Sequence, residues 1–199
     1  TLPTIFDCCQ PRREVLAGEL PDAIFAADLW DVVRGRAHTD YQDPHQFFEG
    51  THPTENLKRL VKDVAERLAG IQGVTPFYKL ETGFGGGKTH VLIACIHVAL
   101  YGHKLADLLV GYEIRRFPDP GSVRVAAFVG ESSSPLDGVE LTVEGQSVRT
   151  FTPWGQLALM AGGLAGYECI RGSDEAGVAP ERGDLEQAFG DGPLLILLD

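Results

Sequence analysis

The sequence predicts an α/β fold, three layers deep with a mostly parallel central sheet, and three observations predict it. A glycine-rich stretch, Gly83 to Gly87, stands between a strand-like run and a helix-like one. Val123 to Val129 (VRVAAFV) has few polar residues, and Leu194-Leu195-Ile196-Leu197-Leu198 has none. Both read as parallel strands buried between helix layers. With 199 residues, 44% hydrophobic and 23% charged, the chain has material for one well-packed domain and is not of the disordered class.

The elements follow in order. Glu14 to Leu20 reads as a short helix, Ala23 to Ala27 as an apolar stretch, and Leu29-Trp30-Asp31-Val32-Val33-Arg34-Gly35 stays open between helix and strand. Ala37 to Pro53 is polar and rich in His and Pro, so it reads as a loop or short helix anchored by Phe47 and Phe48. Residues 1–53 are thus an extension packing on a core that occupies 54–199. Thr54 is a good N-cap for a helix carrying Leu57, Leu60, Val61, Val64 and Leu68 at helical spacing, with Gly70 as its stop. Phe77 to Leu80 looks like a strand, and a second helix runs from Lys88 through Val91, Leu92, Cys95, Ile96 and Leu100 to Gly102. Leu141 to Val143 and Ser147 to Phe151, joined by Glu144-Gly145-Gln146, form a small inserted hairpin. Thr152-Pro153 opens a helix through Leu157, Leu159 and Met160, Gly172 to Gly183 reads as a surface loop, and Leu185 to Phe189 is a short helical piece before the last strand.

The chemistry is concentrated in Thr82-Gly83-Phe84-Gly85-Gly86-Gly87-Lys88-Thr89-His90. A polyphosphate is enclosed by backbone N–H groups that converge, a shape that needs positive φ and no obstructing Cβ at several positions. A helix starting at Lys88 adds the positive end of its dipole. In such a P-loop Lys88 reaches the β and γ phosphates and the Thr89 hydroxyl takes one position on Mg²⁺. The departure is Thr82, which stands where the pattern G-x-x-x-x-G-K-[ST] has its first glycine. Asp199, directly after the apolar run, is the carboxylate expected beside the metal, so the metal set is Thr89 and Asp199 and the catalytic set Lys88 and Asp199. The expected cofactors are ATP and Mg²⁺. No guanine-reading NKxD-type motif is present, which favours adenine.

The remaining candidates are weaker. His90 and His97, seven apart, share a helix face without a companion Cys or carboxylate, so a metal site there is not expected, and His90 reads as a phosphate contact or a helix-surface residue. Cys8, Cys9, Cys95 and Cys169 form no CxxC pair and no secreted-type framework. Trp154 and Phe151 read as packing, and Arg115-Arg116 as a solvated pair or a finger acting in trans. A net charge of -11 opposes direct nucleic-acid binding by this segment. No apolar run approaches the roughly 20 residues of a membrane helix and no signal pattern opens the chain, so a cytoplasmic protein without a membrane partner is expected. The stop at Asp199 leads to the expectation that this is the front part of a longer protein.

With the loop GFGGGKTH, the upstream AIFAADLWDVVRG, the strand VRVAAFVG and the terminal LLILLD, the chain resembles a family of large bacterial and archaeal AAA+-like ATPases that carry a domain of unknown function. These are often encoded with a DNA methyltransferase and a helicase in anti-phage loci, and the more distant likeness is to the PglY and BrxC ATPases of BREX phage resistance. Family members usually have Pro where this chain has Gly83. The resemblance implies that Asp31, Val32, Val33 and Gly35 approach the adenine, and that the protein works as an oligomer or in a multi-protein complex in defence or DNA processing. The leading expectation is an ATP-binding, ATP-hydrolysing domain. Its rivals are a nucleotide-gated scaffold that scarcely hydrolyses ATP, which the residue after Asp199 would discriminate, and a small-molecule kinase, which lacks a lid here.

Overall fold

The computed structural model describes residues 4–9, 11, 13–18, 27–81, 87–134 and 136–199. Five short helices come first: α1 (Ile5–Cys8), α2 (Arg13–Ala17), α3 (Leu29–Val33), α4 (Thr39–Gln42) and α5 (Pro44–Gly50). Asp28 caps α3 through its carboxylate, and Asp43 caps α5 ahead of Pro44 at the first helical position. Residues 23–26 of the apolar stretch lie outside the described residues. Phe47 and Phe48 anchor α5 in the core, as expected.

The long helices α6 (Glu55–Leu68) and α7 (Lys88–Tyr101) follow the predicted limits. The Thr54 hydroxyl accepts from Leu57 N–H at 3.3 Å to start α6, and Gly70 takes the left-handed φ of 86° beyond its end. One stripe of α6, formed by Leu57, Leu60, Val61 and Val64, faces the core. Helix α7 has no comparable polar face: Ile93 to Ala99 are all buried, because the helix is walled by α3, α5, α6 and the sheet together.

Strands β1 (Arg124–Phe128) and β4 (Leu194–Leu198) pair in parallel, Arg124 opposite Leu194 and Phe128 opposite Leu198. The ladder continues past both strand ends, with Asp199 N–H on Phe128 O and Gly130 N–H on Asp199 O, each at 2.9 Å. Between them come the hairpin β2 (Val139–Val143) and β3 (Gln146–Thr150), then α8 (Pro153–Glu175) and α9 (Arg182–Phe189). The hairpin closes through Glu144 (φ 53°) and Gly145 (φ 78°), the paired positive φ values of a two-residue turn whose twist matches its strands. Thr152 Oγ1 accepts from Gly155 N–H at 3.1 Å to open α8.

Three expectations are corrected. Phe77 to Leu80 form no strand: Tyr78 donates its hydroxyl to Asp63 of α6 at 2.9 Å and packs with Leu80 against Leu60, Val64 and Cys95, so the backbone follows the helices and does not pair with β4. The sheet of β1 and β4 therefore has two strands among the described residues, and β4 is not buried on both faces. Ile196 is 40% and Leu198 64% exposed. The expected loop from Gly172 is helical as far as Glu175, because the fully buried Asp174 is tied down. Its carboxylate accepts from Phe151 N–H, Thr152 N–H and hydroxyl, and Tyr167 hydroxyl. The coarse class holds: a mixed α/β molecule with a small parallel sheet.

Candidate functional site

The parallel register carries the carboxyl ends of β1 and β4 to the N-terminus of α7. Gly87 ends the approach to that helix with φ 74° and ψ 20°, a left-handed conformation that a side chain resists. The residue at the cap position, Gly87, has no side chain to cap the helix. The helix dipole places partial positive charge at the same point. Thr82, Gly83, Phe84, Gly85 and Gly86 lie outside the described residues.

Across this junction the Thr89 hydroxyl donates to Asp199 Oδ2 at 2.9 Å. The two residues are far apart in sequence, and the fold brings them into contact. With its proton on Asp199, the Thr89 oxygen keeps lone pairs for a cation. A hydroxyl and a carboxylate form an all-oxygen donor pair of the kind hard cations such as Mg²⁺ take, and they supply only part of an octahedral shell. Among the described residues no group of three or more His, Cys, Asp or Glu converges, so a cation here would draw its other ligands from water or from a bound anion. Lys88 begins α7 and, with Asp199, lines a cleft of about 610 Å³ bounded by β4 and the Phe77 to Leu80 segment.

His90 is partly buried. Its ring stacks on Phe47 (4.4 Å, 29°), and its Nε2 lies 2.8 Å from Thr51 Oγ1. Because Thr51 gives its own proton to Phe47 O at 2.5 Å, the imidazole is the donor, which leaves Nδ1 as the ring atom available to a ligand. Burial holds His90 below the ordinary histidine range, so it is neutral near pH 7. His97 shares that face, with its ring 5.0 Å from the same Phe47, and Nε2–H donates to Tyr41 O at 2.9 Å. Phe47 thus touches both imidazole rings.

Other expectations are redistributed. Val32 is a core residue, and Val33 and Gly35 line a second cleft beside Ile96 and Tyr101, in the last two turns of α7. At 1.5 Å per residue that is about 12 Å or more along the axis from Lys88. Arg115 is not solvated freely. Its backbone N–H and guanidinium all bind Glu66, which is 1% exposed, and this bonding outweighs burial to hold the Glu66 carboxyl below its usual range. Trp154 packs beside the hairpin, as expected. Buried Cys95 has its thiol pushed up to about 12 by burial, which makes it unreactive. One residue escaped the sequence reading: Glu131, in the turn after β1, follows the Gly130 that binds Asp199. An acidic residue just past the carboxyl end of a parallel strand was the signal for it.

No helix among the described residues is long and apolar enough to cross a membrane. A model of the DUF499 N-terminal domain matches residues 6–199, nearly the whole length. No curated protein and no solved structure matches the chain. The chain belongs to the DUF499 N-terminal domain family.

Proposed function

We propose that this chain is the nucleotide-binding part of an AAA+-like P-loop ATPase, taking ATP with Mg²⁺ and acting within a larger defence or DNA-processing assembly. The observation that carries the reading is the 2.9 Å bond between Thr89 Oγ1 and Asp199 Oδ2, made where a left-handed Gly87 opens α7 and where two parallel strands end. Chance glycine loops have no reason to meet a carboxylate at the carboxyl end of a parallel strand. Lys88 supplies a point charge for phosphate oxygens, the first-turn amides of α7 orient them, and Thr89 with Asp199 would hold the cation. Bound magnesium would neutralise charge across the phosphates and so favour phosphoryl transfer. The likeness to BREX ATPases stays part of this proposal and adds the expectation of assembly-coupled turnover.

The test is calorimetric titration of ATP with Mg²⁺ into the purified chain and three variants that retain the parent circular dichroism. Lys88→Ala is expected to weaken binding at least tenfold, since it removes one charge-assisted contact of roughly 1.5–3 kcal/mol. Thr89→Ala and Asp199→Asn are expected to remove the dependence of affinity on Mg²⁺ while leaving metal-free binding in place. An unchanged ATP affinity in Lys88→Ala sinks the assignment.

A further inference from the structure

The second cleft, about 560 Å³, is walled by α3, the last turns of α7 and the hairpin, at the opposite end of α7 from Lys88. Its volume lies in the range of small-molecule sites. What sets it apart is its pair of guanidinium groups. Arg34 lies over the indole of Trp30, 4.3 Å from Cζ to the ring centroid, and donates from Nη2 to the Glu140 backbone oxygen at 3.1 Å. Arg36 lines the same cleft, and neither arginine takes part in an ion pair among the described residues. That is unusual in a chain with 28 acidic and 17 basic side chains, where a carboxylate partner is the default. The Glu140 carboxylate is engaged elsewhere, by the Ser147 hydroxyl and by Arg149 at 3.9 Å.

Arg34 is partly buried and Arg36 exposed, and both line the one cleft. Arg34 is held below the usual arginine range by burial first and by Arg36 second, against the opposing pull of Asp31. An oxyanion held by the two groups would offset the repulsion between Arg34 and Arg36 and use the N–H donors that the Glu140 oxygen leaves open. Apart from the arginines the cleft is mixed: Gln42, His97, Glu140 and Thr142 line it together with an apolar and aromatic wall that includes Leu100, Tyr101 and Leu141. We infer that this cleft is a second ligand site, for a small organic anion with a flat apolar body, whose carboxylate or phosphate head is held by Arg34 and Arg36.

The probes are benzoate and phenyl phosphate, titrated by calorimetry into the parent chain, Lys88→Ala and Arg36→Gln, with Arg34→Lys as a fourth variant. At least one probe is expected to bind the parent and Lys88→Ala equally, to lose at least tenfold in affinity with Arg36→Gln, and to be weakened by Arg34→Lys, whose ammonium lacks the flat fork. Benzoate alone identifies a carboxylate head, and phenyl phosphate alone a phosphate head. Arg36 is exposed, so its replacement does not threaten folding. No binding of either probe up to ~10 mM, a millimolar-class limit, overturns the inference. So does affinity lost in Lys88→Ala and kept in Arg36→Gln, and this result would leave the ATP reading standing.

Discussion

At the scale of single residues, one imidazole carries much of the expected response to acid. His97 is 1% exposed, and burial pushes its value down to about 4 against the partial support of Tyr41 O and Asp43. The unfolded chain binds its proton near pH 6.5, so between that value and about 4 the unfolded state holds more protons than the folded one. The contribution of neutral His97 is therefore complete above about pH 6.5 and is lost as pH falls toward 4. In urea titrations, acidification from pH 7 to pH 4 is expected to lower the parent's unfolding free energy by on the order of 3 kcal/mol more than that of His97→Gln. Parallel pH profiles would refute it. Residue type alone had marked Lys88, Thr89 and Asp199, because few side chains suit a polyphosphate and its cation. The inward turn of His90 and the Glu66–Arg115 tie were illegible, since each depends on a partner dozens of positions away.

At the scale of elements, packing between α8 and α9 rests on missing side chains. A Cβ built on Gly162 would lie 2.0 Å from Ala188 O, and one on Gly166 2.4 Å from the same oxygen, so α9 can seat only against bare backbone. Gly162→Ala is expected to force α9 outward at a cost of ~2–3 kcal/mol. Gly172→Ala, on the same helix with nothing within 4 Å, is expected to stabilise by up to about 1 kcal/mol. Thermal unfolding of the two variants checks this, and shifts of the same sign would contradict it. The legible elements were those with local signals: α6 and α7 through periodicity and caps, β1 through its apolar run, the hairpin through Glu144-Gly145. Phe77 to Leu80 was misread because strand propensity says nothing about whether a neighbouring edge is engaged. The end of α8 was misread because its glycine and serine resemble loop text while the anchor, Asp174, acts through tertiary bonds to Phe151 and Thr152.

At the scale of the whole molecule, Arg124 joins the parts that place Asp199. From the start of β1 its guanidinium donates to Ala161 O at 3.0 Å on α8, to Phe189 O on α9, and to Asp191 O at 2.8 Å in the turn leading to β4. Arg124→Ala leaves these carbonyls without that donor and is expected to cost ~3 kcal/mol. Arg124→Lys is expected to recover less than half, because an ammonium cannot span the same fork. Amide hydrogen exchange should quicken together in α9 and β4 of either variant, and exchange confined to α9 would show that the two are not coupled.

The far border of β4 gives a last consequence. Its outward amides and carbonyls find no backbone match among the described residues, and Ile196 and Leu198 protrude beside them. Such a rim is a template on which any extended peptide can lay down a ladder. In concentrated solution the chain is therefore prone to self-adhesion along this rim, and a lysine at position 196 would blunt it.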